Sequence, residues 1–114
     1  VHWKRLMKPI NWNRIAKNIP TKIKIAVKAT YEVLLIKDFH GEDTWGETRF
    51  EERQIILKAD LKPKIAVETY YHECLHAISE EYHIGLSEEQ VLNLEQAYPA
   101  MRRIILQLEG LDEK

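Results

Sequence analysis

The chain has a single cysteine, Cys74, among 114 residues. One thiol excludes any internal disulfide, and an unpaired cysteine suits a reducing compartment such as the cytosol. Four glycines and four prolines leave no low-complexity or repetitive segment. Long apolar runs are also missing. The longest purely aliphatic one, Val33-Leu34-Leu35-Ile36, fits a buried strand and falls far short of the roughly 20 residues that cross a bilayer. No signal peptide is visible. The chain opens on Val1 rather than methionine, as expected of a fragment or a trimmed product.

Acidic residues are absent from the first 31 positions, which carry Lys4, Arg5, Lys8, Arg14, Lys17, Lys22, Lys24 and Lys28. The rest holds nine cations against eighteen acids, or −9, so the total of −1 conceals a divided chain. Trp3 and Trp12 lie in the basic third. Such an arm can track a phosphate backbone or dock on an acidic partner. With a total charge near zero, its simpler role is to neutralise the acidic remainder of its own domain.

What is present otherwise is ordinary: 45% hydrophobic and 31% charged residues, enough for one domain over residues 1–114 with one modest core. Residues 1–20 place Trp3, Leu6, Met7, Ile10, Trp12, Ile15 and Ile19 at loose helical spacing, interrupted by Pro9 and Pro20. From Ile23 the period becomes two. Ile23, Ile25, Val27, Ala29, Tyr31, Val33 and Leu35 alternate with mostly polar neighbours, as in one half-buried strand or a pair of short ones. Asp38 to Gly46 reads as a loop, with Gly41, Asp43 and Gly46 as turn residues. Glu47–Phe50 and Arg53–Lys58 read as strands, the second made the more buried by Ile55-Ile56-Leu57. Pro63 opens a helix to about Tyr82, with His83-Ile84-Gly85 as its exit. Ser87 and Gln90 form a capping box for a last helix, on which Val91, Leu94, Tyr98, Met101, Ile105 and Leu108 share a stripe. Pro99 falls inside that stripe and implies a kink or a break.

Inside the Pro63 helix lies His72-Glu73-Cys74-Leu75-His76, an H-E-x-x-H pentapeptide. Histidines four residues apart project from one helix face and can grip one metal ion, while Glu73 beside the first can polarise a metal-bound water. This is the core of a zinc-dependent hydrolase of the zincin class. The plainer reading is two surface histidines on a charged helix. Strands before the motif, its mid-helix position and the acid-rich helix after it favour the first.

With that pentapeptide, Gly46-Glu47-Thr48-Arg49-Phe50, Arg53 to Leu57, Glu68 to Ile78, and Leu86 to Val91 with Leu94 resemble the small phage and prophage zincins related to the ImmA/IrrE metallopeptidases. The resemblance covers roughly residues 44–98, and the pentapeptide with Ala77-Ile78 is its most specific part. It implies an α+β fold, a small sheet of about three strands packed on the motif helix with a further helix behind. It also implies zinc and peptide-bond hydrolysis in a protein substrate. In characterised relatives the substrates are regulatory proteins such as repressors.

The family places a third ligand, a glutamate, on the following helix in the pattern Glu-x-x-small-x-x-apolar, which Glu88 to Leu94 fits with Glu88 as ligand. Two positions depart from it: the family's small alanine and its asparagine are Val91 and Leu92 here. Glu95 competes on geometry, since a helical hairpin turning near residue 84 or 85 sets it opposite His76. His83, seven residues past His76, is a third candidate. Cys74 is a soft ligand by type but points off the ligand face, so it reads as a structural thiol. Glu80 stands one turn beyond His76 as a partner for it or a solvated acid. His2 and His40 have no partner in sequence. Tyr70, Tyr71 and Tyr82 flank the motif and serve either oxyanion stabilisation or packing. The strand at Glu47–Phe50 offers an edge for an extended substrate.

The expectation is therefore a cytoplasmic, zinc-dependent peptidase of a bacterium or phage-infected cell, with zinc on His72, His76 and Glu88 and with Glu73 as general base. Two rivals stand beside it. One is a metal-binding regulatory module without turnover. The other is a nucleic-acid-associated protease, similar to the SprT-like proteins, that uses the basic arm.

Overall fold

The computed structural model describes residues 10–39 and 45–111. The fold is α+β. Helix α1 (Trp12–Ala16) precedes a hairpin of β1 (Lys22–Ala26) and β2 (Ala29–Ile36), then β3 (Gly46–Arg49) and β4 (Gln54–Lys58). Helices α2 (Pro63–Glu81), α3 (Glu88–Gln96) and α4 (Tyr98–Leu108) follow. The strands form one mixed sheet in the order β1-β2-β4-β3, with β2 and β4 parallel and both outer pairs antiparallel. Among the described residues no helix is long and apolar enough to cross a membrane. Residues Val1 to Pro9, with His2, Trp3 and the first three cations of the basic arm, lie outside the described residues, as do His40, Gly41 and Asp43.

The alternating segment from Ile23 is the pair of strands rather than one, so the sheet has four strands instead of three. Val27 and Lys28 make the turn between them with ordinary negative φ. Neither is a glycine, asparagine or aspartate of the kind that marks a two-residue hairpin. A bulge in β1 between Lys24 and Ala26 absorbs the mismatch. On β2 the alternation fails at Leu35, which is exposed, as is Val27 in the turn, but it holds from Ala29 to Val33, with Thr30 and Glu32 exposed and Ala29, Tyr31 and Val33 buried. Opposite them, Ile55 and Leu57 of β4 complete the apolar face that meets Cys74 and Ala77 of α2. Burying side chains of this size is worth about 1.5–3 kcal/mol each, so this layer is the main source of stability.

Pro63 is at the start of α2, where its missing N–H costs nothing. The far end closes in a Schellman motif, the Ile84 N–H donating to the Ser79 carbonyl and the His83 N–H to the Glu80 carbonyl. His83, not Gly85, holds the left-handed position, with φ +55°. A side chain there costs about 1–2 kcal/mol of backbone strain. Gly85, with φ +74°, continues the turn. The Leu86 N–H then donates to Ser79 Oγ at 2.8 Å, folding the connection back along α2. Ser87 and Gln90 make both bonds of the capping box that starts α3. Pro99 breaks the helical run: α3 ends at Gln96 and α4 begins at Tyr98.

The break divides the apolar stripe. Val91 is fully buried and Leu94 partly so, whereas Met101, Ile105 and Leu108 on α4 are exposed. The stripe therefore covers the core only as far as Tyr98. There the Tyr98 ring lies 5.0 Å from Tyr71 and 6.1 Å from Trp12, tying α1, α2 and α4 at one corner.

The C-terminal end of α2 is anchored to the sheet by Tyr31, whose hydroxyl donates to Glu81 Oε2 at 2.7 Å, with Arg53 Nε on the same oxygen at 3.4 Å. Burial, and then this bond, push the Tyr31 hydroxyl above its ordinary value, and the bond holds the Glu81 carboxyl below its own. Burial likewise pushes the Cys74 thiol up to about 11, which marks it as an unreactive core group. Groups raised in the folded state stabilise it below their unfolded values and lose that contribution as pH climbs; a depressed carboxyl does so above its unfolded value and loses it as pH falls. Stability should therefore decline above pH 9–10, where the unfolded thiol and phenol ionise, and again below about pH 4. Tyr31→Phe should cost about 1 kcal/mol at neutral pH and flatten part of the alkaline decline. Chemical denaturation across pH checks both, and an unchanged alkaline limb would contradict the assignment to Tyr31.

Candidate metal centre

The helical period puts His72 and His76 on the side of α2 that faces α3, and Glu73 on the side that faces β3. His72 and Glu73 are buried and His76 is partly so. Because the connection folds back along α2, the first residue of α3 arrives over both imidazoles. Glu88 Oε1 lies 2.8 Å from His72 Nε2, and Glu88 Oε2 lies 3.0 Å from His76 Nε2. The two Nε2 atoms are 3.2 Å apart. His72, His76 and Glu88 thus form one group able to hold a metal ion.

Glu95 is not a fourth member of that group. Its Oε1 sits 2.8 Å from His72 Nδ1, on the far side of the ring. The folded-back connection sets Glu95 against His72 rather than His76. A carboxylate only accepts, so a proton on Nδ1 would be donated to Glu95, and with a cation in the centre Nε2 would present its lone pair to it. Outer carboxylates hold metal-ligating histidines in this way. His83 is exposed beyond the end of α2 and contributes no atom to the group, because its left-handed backbone turns the chain away. Glu80 is exposed.

The donor set fits a divalent ion. A tetrahedral ion with ligands at about 2.0–2.1 Å separates its donor atoms by about 3.3 Å; the two Nε2 atoms stand 3.2 Å apart, and each has a Glu88 oxygen within 3.0 Å. Without a cation, an unprotonated imidazole nitrogen would face a carboxylate oxygen at 2.8 Å, lone pair against lone pair. Only a shared positive charge, a metal or added protons, makes that contact favourable.

Glu73 is fixed from the sheet. Thr48 Oγ1 lies 2.7 Å from Glu73 Oε1 and 3.0 Å from the Glu73 carbonyl, placing its hydroxyl to donate to either. Thr48 pairs with Ile55 across β3 and β4 and so points to the same sheet face. Gly46 lets β3 approach: a Cβ there would stand 2.7 Å from Thr69 Cγ2, 3.1 Å from the Ile56 carbonyl and 3.3 Å from Glu73 Cγ. Gly46 is thus the first residue of β3 and a close-approach site, not a turn residue. Neither role was visible in the sequence.

The tyrosines flanking the motif are engaged elsewhere. Tyr70 packs against the core beside Cys74, Tyr71 reaches Met101 Sδ at 3.1 Å, and Tyr82 donates to the Ile25 carbonyl at 2.9 Å. Between α2, α3 and the start of β3 a cleft of about 460 Å³ opens onto His72, Glu73 and Glu88. Compared with protein-family models, with curated proteins and with solved structures, the chain gives no match.

Two outcomes follow from this geometry. Glu95→Ala should leave the chain folded and weaken metal binding about 10–100-fold in a chelator competition, because His72 loses the acceptor that orients it. Equal affinity would show that Glu95 plays no part. Gly46→Ala should cost about 1–3 kcal/mol on denaturation, since Thr69 is β-branched and the Ile56 carbonyl is backbone, and neither yields easily. An unchanged midpoint would contradict the close approach.

Proposed function

We propose that this chain is a zinc-dependent metallopeptidase of the zincin type, with zinc held by His72, His76 and Glu88 and with Glu73 as general base. The observation that carries the reading is the placement of Glu73. It is buried next to the ligand pair, tied by Oε1 to Thr48, and lines the same cleft as His72 and Glu88. A structural metal site has no use for a buried carboxylate that does not coordinate, and its four positions are closed by protein. Here three donors converge and a cleft adjoins them.

Zinc bound to three protein ligands supplies a Lewis acid and a water whose pKa falls to about 7. Glu73 accepts the proton of the attacking water on its carboxylate and hands it to the leaving amine nitrogen. Thr48 keeps that carboxylate from rotating away between the two transfers. Glu95 keeps the His72 ring in the tautomer whose Nε2 faces the centre. β3 lies at the sheet edge beside the cleft, where an extended peptide can add as a further strand and gain backbone hydrogen bonds with little side-chain choice. A protein substrate, a regulatory one among them, is the partner class this arrangement suits.

Glu73→Gln should keep about one zinc per chain while hydrolysis of denatured casein falls at least about 100-fold, the scale of a lost general base. His76→Ala should lose both. Zinc analysis beside a cleavage assay reads the pair. A Glu73→Gln chain that still cleaves, or a zinc-loaded wild-type chain that cleaves nothing, would overturn the peptidase reading and leave a metal-binding module.

A further inference from the structure

The cleft beside the metal centre holds four carboxylates, Glu68, Glu73, Glu88 and Glu95, and among the described residues no lysine or arginine lines it. Three have partners already described: Thr48 for Glu73, the two histidines for Glu88, and His72 Nδ1 for Glu95. A divalent ion would offset two of the four charges, so the cleft remains negative when the ion is bound. Glu68 is the unmatched group. It is half-buried, and among the described residues it forms no hydrogen bond or ion pair. Lys64, one turn back on α2 and well placed for a helical ion pair, instead lies over the Trp12 ring at 5.9 Å.

Glu68 precedes His72 by one helical turn, about 6 Å along the axis. The walls around it are apolar: Ile65 from the preceding turn of α2, Leu92 from α3 and Trp45 at the start of β3. An apolar wall with one unneutralised carboxylate in it fits a side chain with a long aliphatic stem and a cationic tip. The four-carbon stem of lysine or the three-carbon stem of arginine spans about one helical turn. Trp45, about half exposed, lines the same cleft, and an indole ring attracts a cation over its face.

We propose that Glu68 makes this cleft select a lysine or arginine side chain next to the peptide bond presented to the metal centre, an inference that rests on the peptidase reading above. Glu68 would act on specificity alone, since it is not one of the three residues of the ligand group.

Binding without turnover tests it. The zinc-loaded Glu73→Gln chain is titrated by calorimetry with the hydroxamates of lysine and of norleucine, which share the chelating head and the stem and differ in the charge. The lysine compound should bind about ten-fold tighter, the scale of one charge-assisted contact. Glu68→Gln in the same background should erase that difference at unchanged zinc content, and Glu68→Lys should reverse it. Equal affinities, a preference that survives Glu68→Gln, or no binding of either compound would overturn the proposal. The peptidase reading is judged separately, by whether the zinc-loaded wild-type chain cleaves casein and Glu73→Gln does not. Cleavage with equal affinities therefore removes the role of Glu68 alone.

Discussion

Two imidazole nitrogens and a carboxylate face one another at 2.8–3.2 Å, and that meeting requires a positive charge among them. Like-signed lone pairs this close repel in a partly buried site, where water screens weakly. A singly protonated His72 ring that donates from Nδ1 to Glu95 has no proton left for the inner nitrogen, which faces Glu88. A divalent cation resolves all three contacts at once and matches their spacing. Each of the surrounding features bears on whether that geometry survives.

The fold holds the three donors from two directions. From the helical side, the Schellman turn at His83, the bond from Leu86 to Ser79 and the capping box at Ser87 fix where α3 begins, and its first residue, Glu88, is the carboxylate that meets both histidines. A negative group at a helix start also gains from the helix dipole. From the sheet side, Gly46 and Thr48 bring β3 against the motif helix and lock Glu73. The Tyr31–Glu81 bond pins the far end of the same helix to β2. A small α+β unit thereby places a polar centre at the edge of its core rather than through it.

The centre was legible in the sequence where it is local. His72, Glu73 and His76 depend only on helical spacing, whereas Glu88 was singled out by the family resemblance, with Glu95 and His83 as alternatives, and the capping box of Ser87 and Gln90 marked only where its helix begins. The Pro99 break and the buried trio at Ile55–Leu57 are likewise short-range. What was hidden depends on how elements meet. Glu95 could be placed near the histidines by periodicity, but which histidine it meets depends on how far the connection folds back. Thr48 reaches Glu73 across 25 residues and Gly46 meets Thr69 and Glu73 from a different element, through a pairing that no local pattern specifies. The Val27-Lys28 turn carries no turn residue, and the exposure of α4 follows from a change of direction at Pro99 that periodicity does not encode.

X-ray absorption at the zinc edge of the reconstituted chain reads the donor set itself. The spectrum should show two imidazoles and a carboxylate oxygen at about 2.0–2.1 Å, with one further light atom and no sulfur. A sulfur shell near 2.3 Å, or a six-oxygen shell without imidazole scattering, would contradict this donor set.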